Sequence, residues 1–399
     1  MKPLSKLASS VHASSTMAID ALYKGMKAQG IDVVGFGAGE PDFPTPDNIK
    51  EACIRALREN KTKYTASSGI MELKQAVCYR MKEDCGLDYK PENVLIASGA
   101  KHNVYLAVRA LIDPGDEVVI PAPYWVSYSE IVAMCGGVPV IAKTRESDEF
   151  KLTPEELDEA ITDKTKCIIF NSPSNPTGMM YSQAELRALA DVCIARDIYI
   201  IADEIYYKLV YDGREFVSVA ALGEDVKERT IVINGVSKSY AMTGWRIGYS
   251  LAPANITTIM GNYVSHSTAA PSTLSQWAAV EALTGPQNTV EEMRQAFETR
   301  RNYMVERVNS IEGVSCLMPE GAFYIMMNIS KILGRSIDGV VIDTSDKFAE
   351  LLLEKGLVAV VPGSGFDAPE YVRWSYATSM ENIQAGMDRL EKFLKLLDP

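Results

Sequence analysis

Between residues 93 and 252, short apolar runs alternate with amphipathic stretches, and this alternation leaves few folds open to the chain. The runs are rich in β-branched residues and apolar throughout, which is typical of strands covered on both faces of a mostly parallel sheet. They are NVLIA, EVVI, VPVIA, CIIF, IYIIAD, TIVIN and IGYSLA. Between them, stretches such as Tyr181 to Arg196 carry apolar residues at helical spacing. We therefore predict an α/β fold, with a three-layer α/β/α domain around a mostly parallel seven-stranded sheet.

The pattern changes after Gly285-Pro286. A long charged helical segment is followed by the strand-like runs AFYIMMNI, VAVVP and YVRWSYA and by a closing amphipathic stretch. This order predicts a smaller α+β domain. We expect the N-terminal 40 residues, with a helix that ends near Gly30, to pack against it. The predicted division is a large domain at 41–285 and a small domain formed by 1–40 and 286–399.

Charge and composition narrow the classes of partner. The 40 basic and 52 acidic residues give a net charge of −12, which disfavours nucleic acid and anionic membranes because both require clustered positive charge. Seven cysteines without a C-x-x-C pair predict a reduced protein, and the chain has no 18-residue apolar run. We expect a cytoplasmic location. The three histidines lie at no metal-ligand spacing, so no metal site is predicted.

Two apparent motifs fail in their context. The GFGAG run at 35–39 is followed by Glu40-Pro41 and further prolines, which cannot open the helix that a dinucleotide fingerprint requires. Ser98 and Lys101 have the S-x-x-K spacing of penicillin-binding enzymes, but no K-T-G or S-D-N accompanies them. The segment 98–101 is better interpreted as a turn from a strand into a helix.

Polar residues follow several predicted strands. Asp203 and Tyr206 come after IYIIAD, Lys238 and Arg246 after TIVIN, and Asn175 lies in the proline-rich turn after CIIF. In an α/β sheet such loops converge on one crevice beyond the carboxyl ends of the strands. An acid, a phenol, a lysine, a guanidinium and an amide in one crevice favour an anionic cofactor over a hydride carrier.

At these positions the chain resembles the class I aminotransferases, which are fold-type I pyridoxal-phosphate (PLP) enzymes, and within them the bacterial aspartate aminotransferase-like subgroup. The resemblance covers essentially the whole chain. It rests on eight segments in family order: AGEPDF (38–43), KYTASSGIMELKQAV (63–77), PYWVSY (123–128), NSPSNPTG (171–178), DEIYYKLVYDG (203–213), SKSYAMTGWRIGY (237–249), GAFY (321–324) and VRWSYATS (372–379). It implies pyridoxal 5′-phosphate as cofactor, amino-acid and 2-oxo-acid substrates, and a homodimer with a shared active site.

The resemblance implies a role for each polar residue around the cofactor ring. Lys238 would form the Schiff base and then carry the proton as general acid and base. Asp203 would keep the pyridine nitrogen protonated, which makes the ring an electron sink. Tyr206 and Asn175 would hydrogen-bond the phenolate oxygen, and Trp125 would stack on the ring.

The resemblance also implies how both anionic groups are bound. The phosphate would be held by Arg246, Ser237, the backbone amides of Ala100 and Lys101 at a helix start, and Tyr64 of the neighbouring subunit. Many relatives carry a phosphate-binding serine three residues before the lysine, where this chain has Gly235. Arg373 would clamp the substrate α-carboxylate with a bidentate fork, and Gly39, Trp125 and Asn175 would complete the substrate site.

The preferred substrate stays open at this stage. Aspartate, with 2-oxoglutarate or oxaloacetate as acceptor in a ping-pong reaction, is the first hypothesis. No arginine in HSTAAPSTLSQW is available for a distal carboxylate, so Thr16, His12 and Arg109 are the candidates. Some subgroup members that accept prephenate carry a lysine near the position of His12. The alternatives are a PLP-dependent C–S β-lyase of the same fold and a non-catalytic PLP-binding regulatory protein.

Overall fold

The computed structural model describes residues 2–9, 11 and 15–398, with the backbone alone for residues 15–20. The strands within these residues are β1 (Val34–Gly35), β2 (Val94–Ala97), β3 (Glu117–Ala122), β4 (Val138–Lys143), β5 (Thr165–Asn171), β6 (Tyr199–Asp203), β7 (Thr230–Gly235), β8 (Gly248–Leu251), β9 (Tyr324–Asn328), β10 (Ser336–Ile337), β11 (Val340–Val341), β12 (Val358–Ala359), β13 (Val361–Pro362) and β14 (Tyr371–Ser375).

The α-helices of the same residues are α1 (Lys6–Ser9), α2 (Ser15–Ala28), α3 (Asp47–Arg58), α4 (Met71–Cys85), α5 (Ala100–Leu111), α6 (Ser127–Met134), α7 (Pro154–Ala160), α8 (Gln183–Ala195), α9 (Glu224–Lys227), α10 (Ala254–Ser267), α11 (Thr273–Thr284), α12 (Asn288–Ser310), α13 (Ser345–Gly356) and α14 (Met380–Leu394). Single 3₁₀ turns lie at Pro91–Asn93, Glu146–Asp148, Val219–Ala221, Thr243–Trp245 and Gly363–Phe366.

The predicted seven-stranded sheet is present, in the order β2-β8-β7-β6-β5-β3-β4. β8 runs antiparallel to both of its neighbours, and the other pairs are parallel. Both faces are covered: Ile231 of β7 joins the apolar cluster with α5 and α10, whereas the next residue, Val232, joins the cluster with α4 and α11. Burial on both faces explains why these strands are apolar without alternation. The predicted fold class is confirmed.

A three-stranded antiparallel sheet, β13-β14-β9, forms the framework of the C-terminal part. The predicted strand VAVVP is in fact two strands in different sheets, because β12 pairs with β1 and, beyond Val360, β13 pairs with β14. Phe36 bridges the two sheets, since its amide donates to Ala359 and its carbonyl accepts from Ser375. The N-terminal segment is thereby held beside β14. The domain boundaries at 40/41 and 285/286 stay a prediction.

Two further observations apply to the described residues. None of their helices is both long and apolar enough to cross a lipid bilayer. All seven cysteines are free thiols, and four of them, Cys135, Cys167, Cys193 and Cys316, are buried.

Candidate active site

The carboxyl ends of β5, β6 and β7 open onto a cavity of about 580 Å³. Eleven of the twelve residues predicted from the sequence to form the site line it: Gly39, Ala100, Lys101, Trp125, Asn175, Asp203, Tyr206, Ser237, Lys238, Arg246 and Arg373. They come from seven separate segments of the chain. Five of these follow the carboxyl ends of strands in the large sheet, as expected for an α/β fold, whereas Gly39 and Arg373 come from outside that sheet.

Lys238 lies in the loop after β7, with its amine inside the cavity. Its Nζ donates a hydrogen bond of 2.5 Å to the carbonyl of Gly39. Desolvation lowers the pKa of Lys238 to about 8. The carboxylate of Glu40 opposes this shift, whereas the guanidinium of Arg246 adds to it. An appreciable fraction of this amine is therefore neutral near pH 7, the form that attacks a carbonyl or accepts a proton.

Asp203 ends β6 and is buried beneath the cavity. Its Oδ2 accepts a hydrogen bond of 2.7 Å from the hydroxyl of Tyr128, and its Oδ1 accepts one of 3.2 Å from the amide of Ile205. Burial raises the pKa of Asp203 to about 6, although both hydrogen bonds and the charge of Lys238 act against that rise. A buried carboxylate with spare acceptor capacity suits a cationic N–H group of a ligand.

Two buried phenols stand next to each other at the cavity wall. The hydroxyls of Tyr206 and Tyr324 are 3.0 Å apart, with their rings edge to face. Burial raises the pKa of both phenols, so both are neutral near pH 7 and at least one hydroxyl hydrogen can point into the cavity. Asn171 supports the same wall, because its side chain donates to the carbonyl of Asp203 and accepts from the amide of Asn175.

Arg373, on β14, is a buried cation. Its Nη1 donates to Asn175 Oδ1 and its Nη2 to the carbonyl of Gly37, each at 2.9 Å. The guanidinium lies 4.4 Å from the ring centroid of Tyr324 and 5.1 Å from that of Phe366. Its buried Nε has no partner, and among residues 2–9, 11 and 15–398 no carboxylate forms an ion pair with it. A buried guanidinium of this kind calls for an anionic ligand.

The start of α5 forms an anion cradle with Arg246. Gly99 precedes the helix at φ +90°, and no side chain caps the first-turn amides of Ala100 and Lys101. This left-handed backbone favours glycine, and without a Cβ atom Arg246 Nη2 lies close to the helix start, about 2.5 Å from where a Cβ atom would be. Ser237 also lines this end of the cavity. Free helix N-terminal amides beside a guanidinium bind phosphate well.

Comparison with known proteins identifies the family to which the chain belongs. The family model for aminotransferase class I and II matches residues 31–390. The chain belongs to the class I and II aminotransferases. The aspartate aminotransferase of Geobacillus stearothermophilus is 48% identical to it over 392 residues, which cover 98% of this chain and 99% of the relative. The aspartate/prephenate aminotransferase of Cereibacter sphaeroides is 45% identical over 392 residues, or 98% of both chains. A crystal structure of the aspartate aminotransferase from Rhizobium meliloti superposes with a TM-score of 0.96 at 42% identity and covers 100% of both chains.

Enzymes of this family depend on PLP, and the cavity of this aminotransferase fits that cofactor. The anion cradle between Gly99 and Arg246 suits the phosphate. The buried carboxylate of Asp203 suits a protonated ring nitrogen, and Lys238 provides the amine that a carbonyl group requires. Because these three groups are chemically different and line one cavity, the fit concerns the whole cofactor and not the phosphate alone.

The surroundings of three further predicted residues are as follows. Gly39 uses its carbonyl, toward Lys238, whereas its amide was predicted to bind substrate. Trp125 lines the cavity with Tyr128 edge-on at 5.3 Å and with the amine of Lys101 4.8 Å from its ring centroid. Tyr64 does not line the cavity of its own chain and is 97% exposed.

Of the three candidates for a distal carboxylate, the structure describes the side chain of one, Arg109. His12 lies outside the described residues, and Thr16 is described by its backbone alone. Arg109 does not line the cavity, because its guanidinium donates to the carbonyl of Cys135 and lies 5.6 Å from the ring centroid of Tyr263. The side chain of Lys101, predicted only through its backbone amide, places a further cation at the cavity, with its amine over the ring of Trp125.

Sequence reasoning missed seven polar residues of the cavity: Tyr23, Lys24, Glu40, Tyr128, Asn171, Thr243 and Tyr324. The last five lie inside family segments, so a signal was present for them, but no strand-end rule singled them out. Tyr23 and Lys24 lie in none of the eight segments. Glu40 accepts a hydrogen bond of 2.6 Å from Thr243 and links the N-terminal segment to the loop that presents Arg246.

Proposed function

We propose that this aminotransferase moves the amino group of L-aspartate to a 2-oxo acid, 2-oxoglutarate or oxaloacetate, in a ping-pong reaction through a Schiff base on Lys238. The observation that carries the proposal is that two groups line one cavity. One is Lys238, whose pKa is lowered, and the other is the buried guanidinium of Arg373, which has no carboxylate partner in the described chain. One supplies the reactive amine, and the other binds the carboxylate common to all α-amino and 2-oxo acids.

The cofactor would be held at three points. Arg246, Ser237 and the first-turn amides of α5 would bind its phosphate, and Asp203, oriented by Tyr128, would hold the proton on its ring nitrogen. The hydroxyl of Tyr206 and the amide of Asn175 would face its phenolate oxygen. When bound, PLP supplies an electron sink that stabilises negative charge at the substrate Cα.

Lys238 would perform the proton transfer. Once the substrate amine has taken its place, its Nζ would accept the proton from the substrate Cα and deliver it to the C4′ carbon of the cofactor. A pKa of about 8 suits both directions, because efficient acid–base catalysis needs a pKa near the working pH. Arg373 and Asn175 would orient the substrate carboxylate, so that the Cα–H bond faces the lysine.

The preference for aspartate rests on two supports. The similar proteins are named aspartate or aspartate/prephenate aminotransferases. In addition, the exposed amine of Lys101 adds a further cation at the cavity, on the face of Trp125, where a second carboxylate could bind. Prephenate remains open as an amino acceptor. The relatives' names favour neither a C–S lyase nor a regulatory protein.

We further propose a homodimer with a shared active site. Tyr64 supports this proposal, because a tyrosine that is 97% exposed in one chain has its ring available to a second copy. Its predicted role is to reach the phosphate of the neighbouring subunit. The cytoplasmic location stays a prediction.

The central test replaces the amine of Lys238. Wild-type protein loaded with PLP should absorb in the visible range and lose that band when aspartate is added, whereas Lys238→Ala should lose at least about a thousandfold in kcat, as expected when a covalent and proton-transferring group is removed. Lys227→Ala, on the surface helix α9, is the matched control and should react as wild type does. A Lys238→Ala protein that transaminates at the wild-type rate would refute the proposal. Rates with aspartate, phenylalanine and prephenate in the wild type then decide the substrate.

A further inference from the structure

The carboxylate of Glu146, which follows the edge strand β4 and lies away from Lys238, joins the large sheet to the small one. Glu146 follows β4, and its Oε2 accepts hydrogen bonds from Asn328 Nδ2 at 2.7 Å and from the hydroxyl of Tyr371 at 3.0 Å. Asn328 is the last residue of β9 and Tyr371 the first of β14, and the two are directly paired across the small sheet. We refer to Glu146, Asn328 and Tyr371 as the Glu146 clamp.

The loop that carries Glu146 packs against the small sheet. Phe150 packs edge-on against the ring of Tyr371, with 5.3 Å between the ring centroids. Glu149 and Phe150 both have left-handed backbones, at φ +54° and +55°, which non-glycine residues keep only where surrounding contacts hold them. The next residue, Lys151, lies 3.8 Å from the carboxylate of Glu320 in the C-terminal part.

The same strand carries the carboxylate-binding guanidinium. Tyr371 and Arg373 are two residues apart on β14, so their side chains leave the same face of the sheet. At one point this face is joined to the loop after β5, through Arg373 and Asn175, and at a second point to the loop after β4, through Tyr371 and Glu146. β14 is the central strand of the small sheet, so these two points together fix how that sheet is oriented against the loops of the large one, whereas one point would fix it less closely.

We propose that Glu146 is a positioning residue for substrate binding: through the Glu146 clamp it holds β14 at the orientation in which Arg373 reaches the α-carboxylate. The inference rests on the proposed function of Arg373. Hydrogen bonds to an ionised carboxylate are stronger than neutral ones, so this clamp can hold a strand against thermal motion. A bidentate hydrogen bond depends on geometry, so a displaced Arg373 would bind the carboxylate more weakly in the ground state and the transition state alike.

The test uses the PLP-loaded enzyme and the variant Glu146→Ala. Without the clamp, KM for aspartate and for 2-oxoglutarate should rise about tenfold, with kcat and PLP affinity close to wild type, because the lysine and the cofactor cradle do not touch the clamp. Inhibition by succinate, a dicarboxylate without an amino group, should weaken by the same factor. Asp148→Asn is the matched control, since Asp148 lies in the same loop but pairs with Arg145, at 2.8 Å. It should leave both KM values unchanged.

A second variant keeps the test independent of folding defects. Tyr371→Phe removes one hydrogen bond of the clamp but retains the ring against Phe150, so KM should rise in the same direction by a smaller factor. The double variant should be no worse than Glu146→Ala, because both changes break one interaction. Wild-type KM values in Tyr371→Phe or in a folded Glu146→Ala would overturn the inference, as would an equal rise in Asp148→Asn.

Arg373→Lys, measured in parallel, separates the two proposals. If it raises KM and the clamp variants do not, only the role of Glu146 is refuted. If Arg373→Lys also leaves KM unchanged, the proposed role of Arg373 fails and the inference fails with it.

Discussion

Replacing Arg373 by lysine tests the carboxylate site because the two side chains offer different numbers of hydrogen-bond donors. A guanidinium has five N–H bonds, of which one on Nη1 serves Asn175 and one on Nη2 serves Gly37. Three remain, including the buried Nε–H that has no partner. They can present two parallel donors to a carboxylate. A lysine ammonium has three N–H bonds, so after the same two contacts only one is left for the substrate.

The difference is at least one charge-assisted hydrogen bond in a buried site. Such a bond is worth about 1.5–3 kcal/mol. Since about 1.4 kcal/mol corresponds to a factor of ten, Arg373→Lys should reduce kcat/KM by roughly 10- to 150-fold. Most of the loss should appear in KM, for the amino acid and the 2-oxo acid alike, because both carry the carboxylate in the ground state.

The assay is the half-reaction of the PLP-loaded enzyme with aspartate, followed through the cofactor absorbance, together with steady-state rates. A primary amine without a carboxylate, added at matched concentrations, is the internal control and should react equally slowly with wild type and variant. A loss in kcat/KM of less than about threefold with aspartate would refute the reasoning. So would an equal loss with the carboxylate-free amine.

Two further predictions concern buried acids. Tyr128→Phe removes the 2.7 Å hydrogen bond to Asp203 and should raise the pKa of that carboxyl from about 6 by a further one to two pH units, about 1.4 kcal/mol each. As the pH is lowered, the affinity for PLP should therefore begin to fall at a higher pH than in the wild type or in the buried control Tyr181→Phe. Titration of cofactor-free protein with PLP at several pH values measures this, and coincident profiles would contradict it. Burial raises the pKa of Glu204 to about 8, so folded cofactor-free protein binds more protons than the unfolded chain between about pH 4.5 and 8, and its free energy of unfolding falls as pH rises. Urea titrations should show a shallower fall for Glu204→Gln than for the exposed control Glu83→Gln, and equal slopes would contradict the assignment.

Local pattern was sufficient for the large sheet. All seven predicted runs are strands. In the inner strands this follows because a strand buried on both faces must be apolar at every position, and that property can be read within five or six residues. β4, at one edge of the sheet, is apolar although its Val138 is exposed. VAVVP was misread as one strand, since the switch of pairing partner at Val360 depends on where β1 and β14 lie. Nothing in the run itself encodes that switch.

The site was predictable where a residue follows a strand or lies in a family segment. Lys238, Asp203 and Arg373 were named in this way, and the structure brings all three to one cavity. Tyr128 and Tyr324 were missed because their importance comes from a partner distant in sequence: Tyr128 is 75 residues from Asp203, and Tyr324 is 118 residues from Tyr206.

The sequence by itself determined the fold class, which follows from short-range pattern, and the types of reactive group, which follow from side-chain chemistry. It also indicated the aminotransferase family, through the resemblance of eight segments that the family model supports. Tertiary structure alone decided that Arg373 is buried without a carboxylate among the described residues, that the amine of Lys238 is desolvated, and that Glu146 joins the two sheets. The physical reason is that burial, pKa and ion pairing are properties of a surrounding volume. The residues that fill this volume come from segments up to 336 positions apart, as Gly37 and Arg373 are.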